Sequence, residues 1–450
     1  MSQSRQEAVE VLLIQEAIKN MHISVVGSGY VGLVTGVGLA CKGHSVVCID
    51  TDQHKVDLIN QGRSPFFDDG LENTLAECTK EKHALKASCD YLETSNSEIA
   101  FLCVGTPLNS HRCTDLTSLA DAAKNVGGAL RNMEGYQTVV IRSTVAPGTT
   151  EEFVLPIIEQ YSGKKVGLHF GIAMNPEFLQ EGNALSSFMI PNRIVIGQYD
   201  QQSGDTLQHA YKDFPVPVLR TDIKTAEMIK LASNAFLATK ISFINEMGNL
   251  CKKLNIDVYD VAEGMGYDPR IGDKFLNAGI GYGGSCLPKD IEALIYSFEQ
   301  LDVNSELIGA VSRVNKAQPS KILTIANRRL GGLSGKTIAV LGLAFKPDVE
   351  DIRHSPAIEI IGQLLQEGAH VRAYDPKAIP NTQQIFGQRI QYGQSIAETI
   401  HNCDCILLLT EWEEFGNEQL YHGKVVIDGR RALNPHKAQQ VCSYYEGVCW

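Results

Sequence analysis

The stretch "HISVVGSGYVG", residues 22–32, limits the fold more than any other part of the chain. An apolar run of strand length leads into glycines at 27, 29 and 32, the GxGxxG spacing. A helical stretch, "LVTGVGLACKG", follows, and a second strand, "HSVVCID", ends at Asp50. The glycine pattern alone is weak. With an acid about 20 residues on, at the end of the second strand, it is a strong dinucleotide-binding signal. Gly27 permits the tight turn, Gly29 lets a pyrophosphate approach backbone amides, and Gly32 lets the helix pack on the strand. Asp50 is placed to accept hydrogen bonds from ribose hydroxyls. Its charge repels a 2′-phosphate, so NAD is favoured over NADP.

Further strands, "EIAFLCVGTP" and "QTVVIRSTVAPGTT", are apolar runs ending in small polar residues and proline. Ligands bind at the strand ends of a parallel sheet, which makes Thr106 and Thr144 candidate site residues. "GIAMNPEFLQEG" adds Glu177 and Glu181, four residues apart. From residue 221 the pattern turns helical and runs to 256 without a breaker, longer than a usual domain helix. Such a helix is a natural spacer and dimer surface. Near 336 a second unit begins: "KTIAVLGLAFK", then the helix "SPAIEIIGQLLQEG", then "AHVRAYDP", a strand ending at Asp375. It repeats the rhythm of the first unit without the full glycine fingerprint, so it is expected to hold something other than an intact dinucleotide. The fold expected is α/β: two Rossmann-like parallel-sheet domains joined by a long central helix and a helical middle domain. The boundaries expected are an extension at 1–20, an NAD-binding domain at 21–215, a helical dimerisation domain at 216–325 and a second Rossmann-like domain at 326–450.

A chain of 450 residues is too long for one ordinary core. Its net charge of −12 argues against a broad nucleic-acid surface, yet leaves room for an anionic small molecule held by a few local cations. No apolar run has the length of a membrane span. The charged N-terminal stretch lacks the apolar core of a secretory signal, so a cytoplasmic location is expected. That stretch reads equally as a short amphipathic helix or as a tail upstream of a start at Met21. The twelve cysteines are scattered, with no metal-site spacing, and no metal is expected. Cys41, Cys48, Cys103, Cys403 and Cys405 lie in apolar stretches and are expected to be small core residues.

Cys286 stands apart, in "GYGGSCLPKD". Pro288 suits the first turn of a helix. Cys286 then sits at the positive end of the helix dipole, beside Lys289, and both favour the thiolate. An NAD domain with an exposed thiol points to aldehyde oxidation, in which the thiolate adds, hydride leaves and water hydrolyses the thioester. Lys230 and Asn234, four residues apart in "KLASN", share a helix face, and an ammonium and an amide aimed together make an oxyanion site.

The chain resembles the UDP-glucose/GDP-mannose dehydrogenase family from about residue 21 to its end. The motifs are "GSGYVG", "CVGTP", "RSTVAPGTT", "NPEFLQEG", "EMIKLASNAFLATKISFINE", "FLNAGIGYGGSCLPKD" and "LGLAFKPDVEDIRHSP". The resemblance implies oxidation of a nucleotide-sugar C6 alcohol to the carboxylate in two NAD-dependent steps. It implies Cys286 as nucleophile, Lys230 and Asn234 as oxyanion stabilisers, and Asp290 as base or water-holder. Glu177, with Thr144, would position or deprotonate the hydrolytic water. Glu181 would lie near the nicotinamide, and the run Glu177, Phe178, Leu179, Gln180 and Glu181 would touch substrate. Phe275, Leu276, Asn277, Ala278 and Gly279, with Gly283, would wrap the sugar nucleotide. Lys346 would reach it, and Arg270 would reach its diphosphate from a partner subunit. Arg353, Lys289, Val31 and Lys55 match cofactor positions. A homodimer or higher homo-oligomer is implied.

Asp68 and Asp69 depart from the family's usual Glu-Pro and have no functional reading. "SGKKVGLHFGIAMNPEFL", "SCLPKD" and "EGVCW" lean to the GDP-mannose branch. "FLNAGIGYGGSC" and "DGRRALNP", in substrate-contacting segments, lean to the UDP-glucose branch and weigh more. Rivals are a short-chain epimerase or reductase, a non-catalytic NAD-binding sensor, and a 3-hydroxyacid dehydrogenase. The first needs a Tyr-xxx-Lys pair, for which only Tyr161 and Lys165 qualify, with Gly163 between them. The other two have no use for Cys286.

Overall fold

Short β-branched runs set the architecture. The computed structural model describes residues 20–109 and 112–450, so the expected extension lies outside the described residues except for Asn20. Its first sheet comprises β1 (His22–Val26), β2 (Ser45–Ile49), β3 (Leu85–Ser88), β4 (Ile99–Leu102), β5 (Gln137–Ile141), β6 (Phe170–Met174), β7 (Ile194–Gln198) and β8 (Val218–Thr221). Their order is β3-β2-β1-β4-β5-β6-β7-β8, the doubly wound arrangement with two strands added. Neighbours are parallel except β6 and β7, which pair antiparallel. The chain turns back there through residues 175–193, whose only described helix is the six-residue Ala184–Met189, and an antiparallel neighbour needs no long crossover. Helices cover both faces, burying Val25, Leu33, Val37 and Phe101 on one side and Val26, Ile49, Leu119 and Val139 on the other. Each such side chain contributes about 1.5–3 kcal/mol.

The second sheet comprises β9 (Thr337–Leu341), β10 (His370–Tyr374), β11 (Gln391–Tyr392), β12 (Cys405–Leu408), β13 (Val425–Asp428) and β14 (Tyr444–Gly447), in the order β11-β10-β9-β12-β13-β14, all parallel. The two parallel-sheet domains expected from the sequence are present. Register places each acid beside its turn: Val26 pairs with Ile49, so Gly27 lies level with Asp50. Leu341 pairs with Tyr374, so Gly342 lies level with Asp375.

The long helix runs Ile223–Leu254, 32 residues, as its unbroken periodicity predicts. The described chain divides into two compact units, with the change falling inside this helix, between Lys230 and Leu231. Arg112 and Cys113 belong with the second unit. Within that unit, Ile244, Val258 and Ile280 from the helical middle share one core with Ile338, Val340 and Ile406 of the second sheet. Among the described residues no helix is long and apolar enough to cross a membrane.

Candidate active site

The glycine turn of the first unit is built by close approach. Gly27 has φ +92°, and its N–H donates to the Ile49 carbonyl at 2.7 Å. A Cβ on Gly32 would lie 1.8 Å from the Gly27 oxygen, so only glycine lets the helix Tyr30–Cys41 start so near the strand. A Cβ on Gly29 would meet nothing within 4 Å, which leaves the backbone there open. Val31 is half-buried beside it. Asp50 accepts from Ser28 N at 2.7 Å and from Asp52 N at 3.0 Å, and Lys55 Nζ lies 4.0 Å away. Thr106 Oγ1 donates to the Thr144 carbonyl at 2.8 Å and ties the loops after β4 and β5 together.

The loop after β6 carries Glu177. This carboxylate is buried, pairs with Lys230 Nζ at 2.9 Å, and accepts from Leu179 N at 2.6 Å. Burial alone would push its pKa up. The Lys230 ammonium, the Leu179 amide and the Arg142 charge outweigh burial and hold it below the usual carboxylate range. Phe178 stacks under Arg193, 3.8 Å from its centroid, with Lys230 Nζ at 5.5 Å. Leu179 and Glu181 are half-buried and Gln180 is exposed. The loop is fixed from below by Asp68. Its Oδ2 accepts from Ala184 N at 2.8 Å and from the Tyr30 hydroxyl, and its Oδ1 from Leu185 N at 3.0 Å. Tyr30 in turn accepts from Gly182 N. Asp68, without a reading from the sequence, thus joins the glycine turn to the Glu177 loop.

In the second unit, Cys286 is exposed and is the N-cap of the helix Leu287–Gln300, with proline in the first turn as expected. Its carbonyl accepts from Asp290 N at 2.9 Å, and Ser285 Oγ lies 3.5 Å from its sulfur. The helix is seated by Ile291, Leu294 and Ile295 against Leu231, Ala235 and Ala238 of the long helix. That packing brings Asn234 to Asp290, where Nδ2 donates to Oδ2 at 2.6 Å. Lys289 Nζ lies 2.8 Å from Asp290 Oδ1, an ionic contact without hydrogen-bond alignment. Lys230 and Asn234 are therefore one turn apart, as expected, but each engages its own carboxylate.

The glycines ahead of the thiol are bare because backbone fills the space. A Cβ on Gly283 would lie 2.3 Å from the His354 oxygen, and Gly284 N donates to the Arg353 carbonyl at 2.9 Å. Gly279 N donates to Asn245 Oδ1 at 2.7 Å. Leu276 and Ala278 are buried, whereas Phe275 and Asn277 are exposed, Phe275 with φ +63°. Arg353 clasps Asp351, and Lys346 Nζ lies 5.7 Å from the Phe345 ring centroid. Arg270 hydrogen-bonds Asp268 and has a side chain 87% exposed.

Three family models match in order: the NAD binding domain of the UDP-glucose/GDP-mannose dehydrogenase family over residues 21–215, its central domain over 224–317, and its UDP binding domain over 339–435. The chain belongs to this family. Relatives agree along nearly the whole length. The UDP-glucose 6-dehydrogenase YwqF of Bacillus subtilis (strain 168) is 41% identical over 424 residues, 93% of this chain and 95% of that protein. The structure of a UDP-glucose dehydrogenase from the hyperthermophilic archaeon Pyrobaculum islandicum has a TM-score of 0.92 at 39% identity, covering 96% of this chain and 98% of that one. A ternary complex of GDP-mannose dehydrogenase from Pseudomonas aeruginosa has a TM-score of 0.55 at 33% identity, covering 95% and 100%.

The cofactor of this family member is NAD, and the first turn fits it. Gly29 offers open backbone, and Ser28 Oγ is buried without a hydrogen-bond partner among the described residues. Among the described residues Asp50 accepts two amides; a carboxylate has about four acceptor sites, which leaves capacity for ribose hydroxyls. Asp375, its counterpart in the second unit, is saturated. Oδ2 accepts from Leu343 N, Ala344 N and Trp412 Nε1 at 2.7, 3.1 and 3.1 Å, and Oδ1 from Lys377 N and Ala378 N at 2.9 and 2.8 Å. A ribose finds no acceptor there. The second unit has the rhythm of a dinucleotide fold without its recognition chemistry.

Proposed function

We propose that this chain oxidises the C6 alcohol of UDP-glucose to the carboxylate of UDP-glucuronate. The observation that carries the reading is Cys286, an exposed thiol at a helix N-cap with the Asn234–Asp290 pair beside the first turn. In the first oxidation C6 loses a hydride and a proton and becomes an aldehyde. The Cys286 thiolate then adds to C6, forming a C–S bond. Loss of a second hydride yields a thioester, and water cleaves the C–S bond to release acid and thiol. NAD, when bound, is the hydride acceptor for both oxidations. Lys230 Nζ and Asn234 Nδ2, one turn apart on the long helix, are assigned to stabilise the C6 oxyanion as an ammonium and an amide donor. Glu177, held ionised, takes a proton from the hydrolytic water, with Thr144 orienting it. Arg353, Lys289, Val31 and Lys55 are assigned to the cofactor. The run Phe275–Gly279, Gly283 and Lys346 are assigned to the sugar nucleotide.

UDP-glucose is favoured over GDP-mannose by "FLNAGIGYGGSC" and by the relatives' names and likeness. Residues 216–325 are assigned to pairing two copies, since Phe236, Phe243, Leu250 and Leu254 of the long helix are exposed; Arg270 would then serve the partner's diphosphate. The cysteines, none in a disulfide, suit a reducing cytoplasm. Steady-state assays with UDP-glucose, GDP-mannose and UDP-N-acetylmannosamine test the substrate. UDP-glucose is expected to give the highest kcat/KM and about two NADH per sugar, one for each hydride. A higher kcat/KM for GDP-mannose moves the chain to the other branch.

A further inference from the structure

Outside this machinery one pair of thiols meets. Cys41 ends the helix Tyr30–Cys41, and Cys78 lies in the π-helical turn Glu77–Glu81 that follows the helix Leu71–Ala76. Their sulfurs are 3.6 Å apart. Of the cysteines expected in the core, Cys41 and Cys403 are half-buried and pack against the edge of a core rather than within it, while Cys78 is fully buried behind Cys41. We propose that Cys41 and Cys78 form an oxidation site that closes to an intramolecular disulfide under a hydroperoxide.

The geometry sets the order of events. Cys41, the more accessible sulfur, attacks the terminal peroxide oxygen as a thiolate: an S–O bond forms, the O–O bond breaks, and the leaving hydroxide (or alkoxide, from an organic hydroperoxide) takes up the proton Cys41 gave up. Cys78 then gives up its proton and attacks the Cys41 sulfur. An S–S bond forms, the S–O bond breaks, and water leaves with that proton. The peroxide takes the two electrons that the thiols lose. Several groups favour this direction. The contact with Cys78 lowers the Cys41 pKa to about 7 against the effects of burial and of Glu77, aided by Lys82 and Lys42. The same contact and burial raise Cys78, which keeps its proton until it attacks. Bond formation requires the sulfurs to close by about 1.5 Å, to a length of about 2.05 Å. The π-turn carrying Cys78 is a rare helical irregularity of the kind often found at functional sites. Cys48, Cys103 and Cys405 are buried with pKa values raised by burial, unlike Cys41.

The test uses the intact protein and a few equivalents of hydrogen peroxide. After denaturing alkylation, non-reducing peptide mass spectrometry is expected to show the Cys41 and Cys78 peptides joined, and dithiothreitol to separate them. The oxidised protein is expected to melt a few degrees higher, since the bridge closes a loop of about 37 residues. In Cys78→Ser, Cys41 is expected to stop at the sulfenic acid and be trapped by dimedone; in Cys41→Ser, Cys78 is expected to remain alkylable. Full alkylation of both thiols in wild type, under conditions that oxidise Cys286, overturns the proposal. So does a Cys41 link found only between molecules.

Discussion

Cys286 is placed by three local facts: an exposed sulfur, a helix that begins at the next residue, and glycines whose missing side chains admit the 353–354 backbone. Cys286→Ala is expected to lower acid formation by several orders of magnitude, as loss of a nucleophile does. Cys286→Ser is expected to accumulate a sugar ester at residue 286, because an oxygen ester hydrolyses more slowly than a thioester. Mass spectrometry after incubation with substrate and NAD reads it, and near wild-type acid formation by the Ala variant removes the thiol from the mechanism. Asp50 makes a different kind of claim. Asp50→Asn is expected to weaken NAD about tenfold or more, the worth of a charged hydrogen bond, and to narrow the gap to NADP. An unchanged ratio of kcat/KM values takes Asp50 off the ribose.

Two carboxylates hold elements to one another. Asp68 receives the first amides of the helix Ala184–Met189 and the Tyr30 hydroxyl. Asp68→Ala is expected to cost about 3 kcal/mol by urea unfolding, since buried donors lose a charged acceptor. Asp68→Asn is expected to recover part of that, because its carbonyl still accepts one amide. Equal stability in all three chains shows the clamp to be idle. Glu227, on the long helix, accepts from Gly148 N and Thr150 N at 2.5 and 2.9 Å. Burial raises its pKa to about 6 despite the Thr150 and Gly148 bonds. A carboxyl whose pKa is higher folded than unfolded binds more protons in the folded state. Its contribution therefore falls as pH rises from about 4.5 to about 6, by about 2 kcal/mol, and is flat above. Stability curves of wild type and Glu227→Gln are expected to differ in slope across that window alone; parallel curves there refute the shift.

Across the molecule, each unit holds its own share of the chemistry: the NAD turn and the Glu177–Lys230 pair in the first, the thiol and the Asn234–Asp290 pair in the second. The first unit's described start is well anchored. Met21 is buried, its N–H donates to His44 Nδ1 at 3.2 Å, and its carbonyl accepts from Ser45 N at 2.9 Å. A chain beginning at Asn20 keeps these contacts and is expected to fold and to keep activity within about twofold. One beginning at His22 is expected to lose stability along β1. Thermal melts and NADH assays on the two distinguish them, and inactivity of the Asn20 chain assigns a working role to residues 1–19.

Short-range patterns carried much of this protein. Glycine spacing, strand-length apolar runs, an acid after the second strand and an unbroken 3.6 period each lie within a few residues. They foretold both parallel sheets, the long helix and the thiol at a helix mouth, because backbone conformation answers to near neighbours. The family's motifs then put names to site residues that spacing alone left open. What buried charges pair with was decided only by the tertiary structure. Asp50 and Asp375 look alike in sequence, yet Asp375 is saturated by donors from the segments after β9, β10 and β12. Lys230 and Asn234 share a helix face but answer to carboxylates far away in the chain. Asp68 and the Cys41–Cys78 contact had no local signature. A buried carboxylate or thiol takes its chemistry from whichever donors, charges and sulfurs packing brings within about 4 Å, and no short stretch of sequence records them.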